Sequence, residues 1–255
     1  MGGGFRFLRR FIGPSEQRGR VQMVQPKVLV LGYGIELRRV LALLQHSSMD
    51  LIGVIPWSGS DSPVIWDEES GLQRHQIVGS FDQLATILDQ RATAVCFAFS
   101  RPAERWEALR CCQELAAEVV GIISPEAKIG ADVRMGPGVV IDQGCSVESE
   151  ASLGTASLLL PGVRLGIGAR CGDACVLEAG TSLDDLSRIG DQVFMGAGSR
   201  VLAGCFVGRG AVVLPGSVIT SDVGPGTIVS GIPAVEVESS VFSEGDGPPR
   251  PLQSL

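Results

Sequence analysis

Histidine is nearly absent from this chain: its 255 residues include only His46 and His75. Of 21 basic residues only Lys27 and Lys128 are lysines, and aromatic side chains make up 5%. An imidazole base is therefore scarce. A sandwich or barrel core, which draws on several aromatic side chains, is poorly supplied. No apolar run reaches the roughly 18 residues of a membrane span, so no transmembrane helix is expected. The formal charge of −7 excludes the broad basic face that a whole-protein nucleic-acid binder needs, and no nucleic-acid partner is expected. The first residues lack an apolar stretch of signal-peptide length, and Arg6 stands where a myristoylation signal needs Ser or Thr. A cytoplasmic location is the expectation. The 7 cysteines show no metal-ligand spacing and in that compartment read as free thiols, so no metal is expected.

What the chain has instead is glycine, 34 residues of it, and a strict period. From Ile129 to Gly224 the sequence divides into sixteen consecutive hexads without an insertion. The first position (Ile129, Met135, Ile141 and onward to Ile219) is apolar throughout, and the fifth (Val133, Val139, Cys145 and onward to Val223) is small throughout. The fourth position is Gly in nine hexads and Asp in two, which marks it as the bend. One large and one small inward side chain per hexad describes short strands meeting at corners. Three hexads close one triangular coil, giving a prism of about 5.3 coils and about 25 Å height at the usual strand spacing.

Upstream, Lys27–Leu31 reads as a strand closed by Gly32-Tyr33-Gly34 and followed by a helical stripe at Leu37, Val40, Leu41 and Leu44. Further strands are expected at Leu51–Ile55, His75–Gly79, Ala92–Phe99 and Val119–Ile123. Ser80 with Gln83 forms a capping box, and Pro102 opens a helix carrying Trp106, Leu109 and Leu115. This alternation predicts a parallel sheet with helices on its faces, and residues 56–71 read as a long loop. Residues 1–25 form a basic arm whose apolar side chains, Phe5 to Ile12, admit a weak membrane-surface or protein contact (residues 5–12) as well as a floppy arm. Residues 235–255 form an acidic, Pro-rich tail expected to be disordered.

A Gly-turn α/β unit feeding directly into a hexapeptide prism resembles the sugar O- and N-acetyltransferases of the sialic acid and bacillosamine pathways. The stretches that carry the resemblance are Ile189-Gly-Asp through Val201-Leu-Ala-Gly204, Val213-Leu-Pro-Gly-Ser-Val-Ile219 with Asp222, and Gly231-Ile-Pro-Ala234. It implies a Rossmann-like α/β domain over 26–124 and a left-handed parallel β-helix over 125–234, assembled as a homotrimer. It also implies a sugar or nucleotide-sugar acceptor bound between the α/β unit, at Gly32, Tyr33 and Gly34, and a neighbour's prism. Acetyl-CoA would be the co-substrate, lying along the intersubunit groove by Gly196, Gly198, Ala203, Gly204, Pro215, Gly216, Gly231 and Pro233.

Several positions depart from that family. Asp185 stands where the family has its catalytic His, Leu186 where an acidic residue follows, and Phe194 where a second His lies. Ile35-Glu36-Leu37 replaces the Gly-His and further Gly after Gly34, Pro56-Trp57 replaces an acidic pair, and Ile232 replaces Asn. Asp185 and Asp184 become the candidate catalytic carboxylates. Because a carboxylate is a far weaker base than imidazole, an amine acceptor is favoured over a hydroxyl. Three readings stay open: an acetyl-CoA-dependent sugar N-acyltransferase, a catalytically degenerate trimer serving as scaffold or regulatory binding protein, and, last, an O-acetyltransferase using another base. Leu186, at a position elsewhere given to Gly, predicts a local loop or bulge. Arg164, Arg188, Arg200 and Arg209 are candidates for CoA phosphates or for salt bridges between protomers.

Overall fold

The structure is a computed structural model and describes residues 27–57, 77–91 and 94–237. The basic arm, nearly all of the acidic tail, the loop from 58 onward and His75 lie outside these residues. Strands β1 (Lys27–Gly32), β2 (Asp50–Ile55) and β3 (Ala94–Ala98) form a parallel sheet in the order β2-β1-β3. Single parallel bridges, Val54 to Ile77 and Val95 to Val119, extend its two edges. Helices α1 (Gly34–Gln45), α2 (Leu84–Arg91) and α3 (Pro102–Glu114) cover the faces, and the Ser80–Gln83 capping box is formed. β1 alternates its buried residues between two layers: Leu29 and Leu31 face α2 and α3, whereas Val28 and Val30 face α1.

The repeats wind into a parallel β-solenoid of about six turns with three walls. First-wall strands recur every eighteen residues from Ile122–Ile123 through Val140–Ile141 to Val212–Val213, followed by Ile228–Gly231. The second wall runs from Lys128–Ile129 to Val218–Ile219 and the third from Arg134–Met135 to Phe206–Val207. The solenoid thus exceeds the sixteen hexads by one first-wall strand at each end. The expected strand Val119–Ile123 is split: Val119 bridges the sheet, while Ile122–Ile123 already belongs to the first wall.

First-position side chains from Ile141 to Ile219 fill the prism, and only the lower end opens, with Ile129 40% exposed. Three buried fifth-position hydroxyls turn to corner carbonyls, Thr181 to Glu178 O, Ser157 Oγ to Gly172 O at 2.8 Å and Ser187 Oγ to Asp184 O at 2.6 Å. Ser217 Oγ instead accepts the Gly231 N–H, and Ser199 Oγ has no partner among the described residues. Burial without a partner is costly. Every fourth position except Asp222 has positive φ, nine of them glycines. Leu186, at φ +59°, obeys the same rule, and the strands on either side of it stay in register. The loop or bulge expected there does not form: main-chain hydrogen bonding to the coils above and below holds Leu186 in the left-handed turn (Leu186 N–H to Ile167 O, 2.9 Å).

The sixth position decides what each wall shows to its surroundings. On the first wall it is apolar: Val140, Leu158, Val176 and Phe194 pack against α1 in one continuous core with the sheet. On the other two walls it is mostly polar, with Ser146, Arg164, Ser182 and Arg200 on the second and Arg134, Ser152, Arg170 and Arg188 on the third. The α/β unit therefore sits on the first wall. Removing a spoke should be costly: Leu159→Ala is expected to lower unfolding stability by about 2–5 kcal/mol in denaturant titration. Leu186→Gly, which relieves a left-handed residue that is 66% exposed, is expected to raise it by about 1 kcal/mol.

Candidate functional site

Asp184 and Asp185 sit at the corner between the second and third walls, and their carboxylates have different partners. Asp184 is buried and holds Arg200, with Oδ2 at 2.7 Å from Nη2 and 2.9 Å from Nε. Asp185 is exposed, and its Oδ1 accepts the Ile167 N–H of the coil below at 2.9 Å. The same capping recurs elsewhere: Asp173 accepts from Thr155 N–H at 2.6 Å and Asp191 from Asp173 N–H at 3.0 Å. Asp185 therefore has an architectural task. One coil above it stands Ala203, which carries no carboxylate to cover the Asp185 N–H in the same way.

The residues expected along the CoA groove fall on two edges. Ala203 and Gly204 stack on the corner of Asp185, with Gly204 N–H to Asp185 O at 3.1 Å. Gly196, Gly198, Pro215 and Gly216 stack on the corner between the first and second walls, where Gly216 N–H reaches Ala197 O at 2.9 Å. Gly231 and Pro233 lie in the closing turn before Ala234–Glu236 pairs back on Ile228–Gly231. One chain does not bring these groups together. The four corner and outward arginines have partners within the chain: Arg164 with Glu148, Arg200 with Asp184, Arg188 over Phe206 and Arg209 over the Trp106 ring.

The Gly32-Tyr33-Gly34 turn lies at the other end of the functional reading, on the α/β unit. A Cβ at Gly32 would lie 2.4 Å from Ala98 O, so glycine is what lets β1 and β3 close. The Tyr33 hydroxyl donates to Glu104 Oε2 at 2.5 Å, and its ring stacks near Phe99. Burial first, then the Glu104 carboxylate, push that phenol above its usual range. Glu104 is itself raised by burial and also meets Arg101 at 3.5 Å.

Sequence reasoning missed the charges beneath this turn. Arg105 is fully buried, donating from Nε to Ala156 O at 2.5 Å and from Nη1 to Phe99 O at 2.9 Å. It fastens α3 to a solenoid corner, and burial lowers its guanidinium to about 10, still charged at neutral pH. The inward stripe of α3 is Arg105, Ala108, Leu109 and Cys112; Leu115 is exposed and Trp106 turns to Arg209. An arginine on that spacing was the available signal. Between α1 and the first wall, Glu36, Arg39 and Asp142 line a narrow cleft, with Arg39 to Asp142 at 3.4 Å. Glu36 and Glu178 are both raised, by burial first and, for Glu178, by Glu36 next. Among the described residues no His, Cys, Asp and Glu group is placed to hold a metal, and no helix is long and apolar enough to cross a membrane.

Solved structures share this architecture. A mutant of perosamine N-acetyltransferase from Caulobacter crescentus, with CoA and GDP-perosamine bound, superposes with a TM-score of 0.74 at 21% identity, over 84% of this chain and 97% of that one. The acetyltransferase domain of PglB from Neisseria gonorrhoeae gives 0.71 at 19% identity, over 84% and 100%. WeeI from Acinetobacter baumannii gives 0.69 at 18%, over 82% and 100%. These neighbours agree with the resemblance carried by the hexads, and at such identities what is shared is the fold. No protein-family model matches the chain, and no curated protein matches it at the sequence level.

The raised carboxylates give a pH signature. A carboxyl held above its unfolded value stabilises the fold while protonated, and that contribution is lost as pH rises through the folded value. Glu36, Glu104 and Glu178 all act in this sense. Glu178→Gln is expected to melt at nearly the wild-type temperature near pH 4.5 and increasingly above it as pH rises to 8. Melting curves across that range check the sign.

Proposed function

We propose that the chain is an acetyl-CoA-dependent acyltransferase acting on an amino group of a sugar or nucleotide sugar. The observation that carries this is the joining of a small parallel α/β unit to a hexapeptide solenoid, a fold shared with the acetyltransferase structures above; the reading takes the α/β unit as Rossmann-like. Two of those neighbours bind CoA species, one of them with a nucleotide sugar. The reading includes the left-handed sense of the coil and the division into 26–124 and 125–234.

A second copy is part of it. The α/β unit covers the first wall, and the corner of Asp185 is the edge opposite that wall. Across a triangular prism of this strand length the separation is roughly 15 Å. An acceptor held at Tyr33 therefore does not meet its own chain's Asp185, whereas a neighbour's corner can be brought to it. Two flat polar walls remain for threefold assembly.

In the reaction the amine nitrogen attacks the thioester carbonyl, the C–S bond breaks, and CoA leaves as its thiol. An amine needs no strong base, because a usable fraction is neutral near pH 7. The second oxygen of Asp185 orients the amine, receives its surplus proton and passes it to the departing thiolate. The Asp185 N–H, uncovered because Ala203 stands above it, is the donor assigned to the developing oxyanion. Asp184 holds the corner through Arg200 and is a positioning residue.

Purified protein given acetyl-CoA and amino-sugar acceptors should release free thiol, and Asp185→Ala should slow release by at least about tenfold with acetyl-CoA affinity unchanged. No turnover with any amino sugar, or full activity in the variant, rejects this reading. A second reading has its own support: Asp185 caps Ile167 just as Asp173 and Asp191 cap corners with no assigned chemistry. Absence of acetyl-CoA binding in calorimetric titration would favour that scaffold.

A further inference from the structure

The first turn of a helix that follows a strand of a parallel sheet is a ready-made phosphate site, with free N–H groups and the positive end of the helix dipole. In this chain a buried carboxylate lies beside that position. Tyr33, the N-cap of α1, makes no side-chain cap. Glu36, two residues into the helix from Gly34, is 8% exposed and curls back, its Oε2 4.0 Å from where a Cβ of Gly34 would stand. Burial pushes its carboxyl above the usual range, and its own main-chain N–H, Arg39, Ser100 and Arg105 act in the lowering direction.

Arg39 and Arg105 lie near enough to favour the charged Glu36 carboxylate, whereas two further charged neighbours are acidic. Glu178, at the end of a first-wall strand, feels the negative charge of Glu36, and Glu104 stands on the Tyr33 side of the turn. Arg39 is drawn to Asp142, Arg101 to Glu104, and Arg105 to the carbonyls of Phe99 and Ala156. Both glycines of the turn are accounted for without a ligand, Gly32 by the closeness of Ala98 and Gly34 by its φ of +64°.

From this geometry we infer that Glu36 is a specificity residue that excludes phosphate from the β1–α1 turn, so that the acceptor is an amino sugar carrying no nucleotide diphosphate. Glu36 thereby narrows the acceptor class of the acyltransferase reading, on which the word acceptor rests. A diphosphate here would set two negative groups against a buried carboxylate, a juxtaposition that costs several-fold to many-fold in affinity. An uncharged glycoside instead presents hydroxyl donors, which the carboxylates of Glu36 and Glu104 accept.

The test compares charge at fixed base. Uridine, UDP, guanosine and GDP are titrated calorimetrically into the full-length wild-type chain and into Glu36→Gln, with acetyl-CoA titrated separately. The expected result is that neither diphosphate binds wild type more tightly than its nucleoside, and that the variant gains at least about tenfold for UDP or GDP. Thiol release is then read with methyl glycosides bearing a 2-, 3- or 4-amino group, where turnover is expected, and with UDP- and GDP-linked amino sugars, where it is not. Diphosphates binding wild type about tenfold tighter than nucleosides, or efficient turnover of the nucleotide-linked sugars, overturns the inference. Should Glu36→Gln fail to fold, the wild-type nucleoside comparison decides alone. Failure of acetyl-CoA to bind would strike the acyltransferase reading and leave the phosphate comparison standing.

Discussion

The eighteen-residue coil is the constraint from which the remaining structure follows. Because three hexads close each turn without a slip, residues eighteen apart lie directly above one another, and every property of a wall is a column in the sequence. The inward columns of large and small side chains make a dry core from Ile141 to Ile219. The fourth-position column fixes left-handed turns even where the residue is Ala, Gln or Leu. A single insertion would shift each later residue to another wall, so the coil tolerates awkward residues more readily than it tolerates a change of register. Leu186 shows the balance: its left-handed backbone is retained and the strand pairing on both sides survives.

The second constraint is the junction between the α/β unit and the first wall. Apolar side chains supply most of it, yet a fully buried arginine and three raised carboxylates lie within or beside it. Arg105 spans the two parts by hydrogen bonds to main-chain carbonyls on both sides, which fixes their relative position in a way that apolar contact alone does not. Buried charge of this kind stabilises weakly at best and is informative mainly as specification of one arrangement. The turn at Tyr33 is thereby set among mixed charges, Glu36 and Glu104 with Arg101 and Arg105.

The solenoid was legible in the sequence because its signal is local and periodic: sixteen apolar first positions and small fifth positions leave few other folds. The docking wall was equally present, since Val140, Leu158, Val176 and Phe194 recur at eighteen residues, but that column emerges only when hexads are read in threes. The ends were not legible. Ile122–Ile123 looks like the close of an α/β strand because both sheets want the same short β-branched run. Arg105 was hidden by its type: a charged residue on an apolar helical spacing is ordinarily read as exposed. For the candidate site, Asp185 and Asp184 could be singled out from spacing, whereas their different partners depend on what lies one coil away, Ile167 below and Arg200 above.

These two constraints act together on the chemistry. The coil places Asp185 on the edge opposite the first wall, and the junction places the Tyr33 turn on the far side of that wall. No relaxation of side chains crosses a filled prism, so within a single chain the Tyr33 turn and Asp185 stand apart. Under the proposed reading, the scarcity of histidine matters less with that geometry than it would in a self-contained pocket. A corner built from main-chain N–H groups and one oriented carboxylate can position an amine and stabilise an oxyanion, provided a neighbouring α/β unit presents the amine to it. What the corner lacks is a group able to deprotonate a sugar hydroxyl at neutral pH. The same residues that leave room for amine transfer therefore argue against O-acylation.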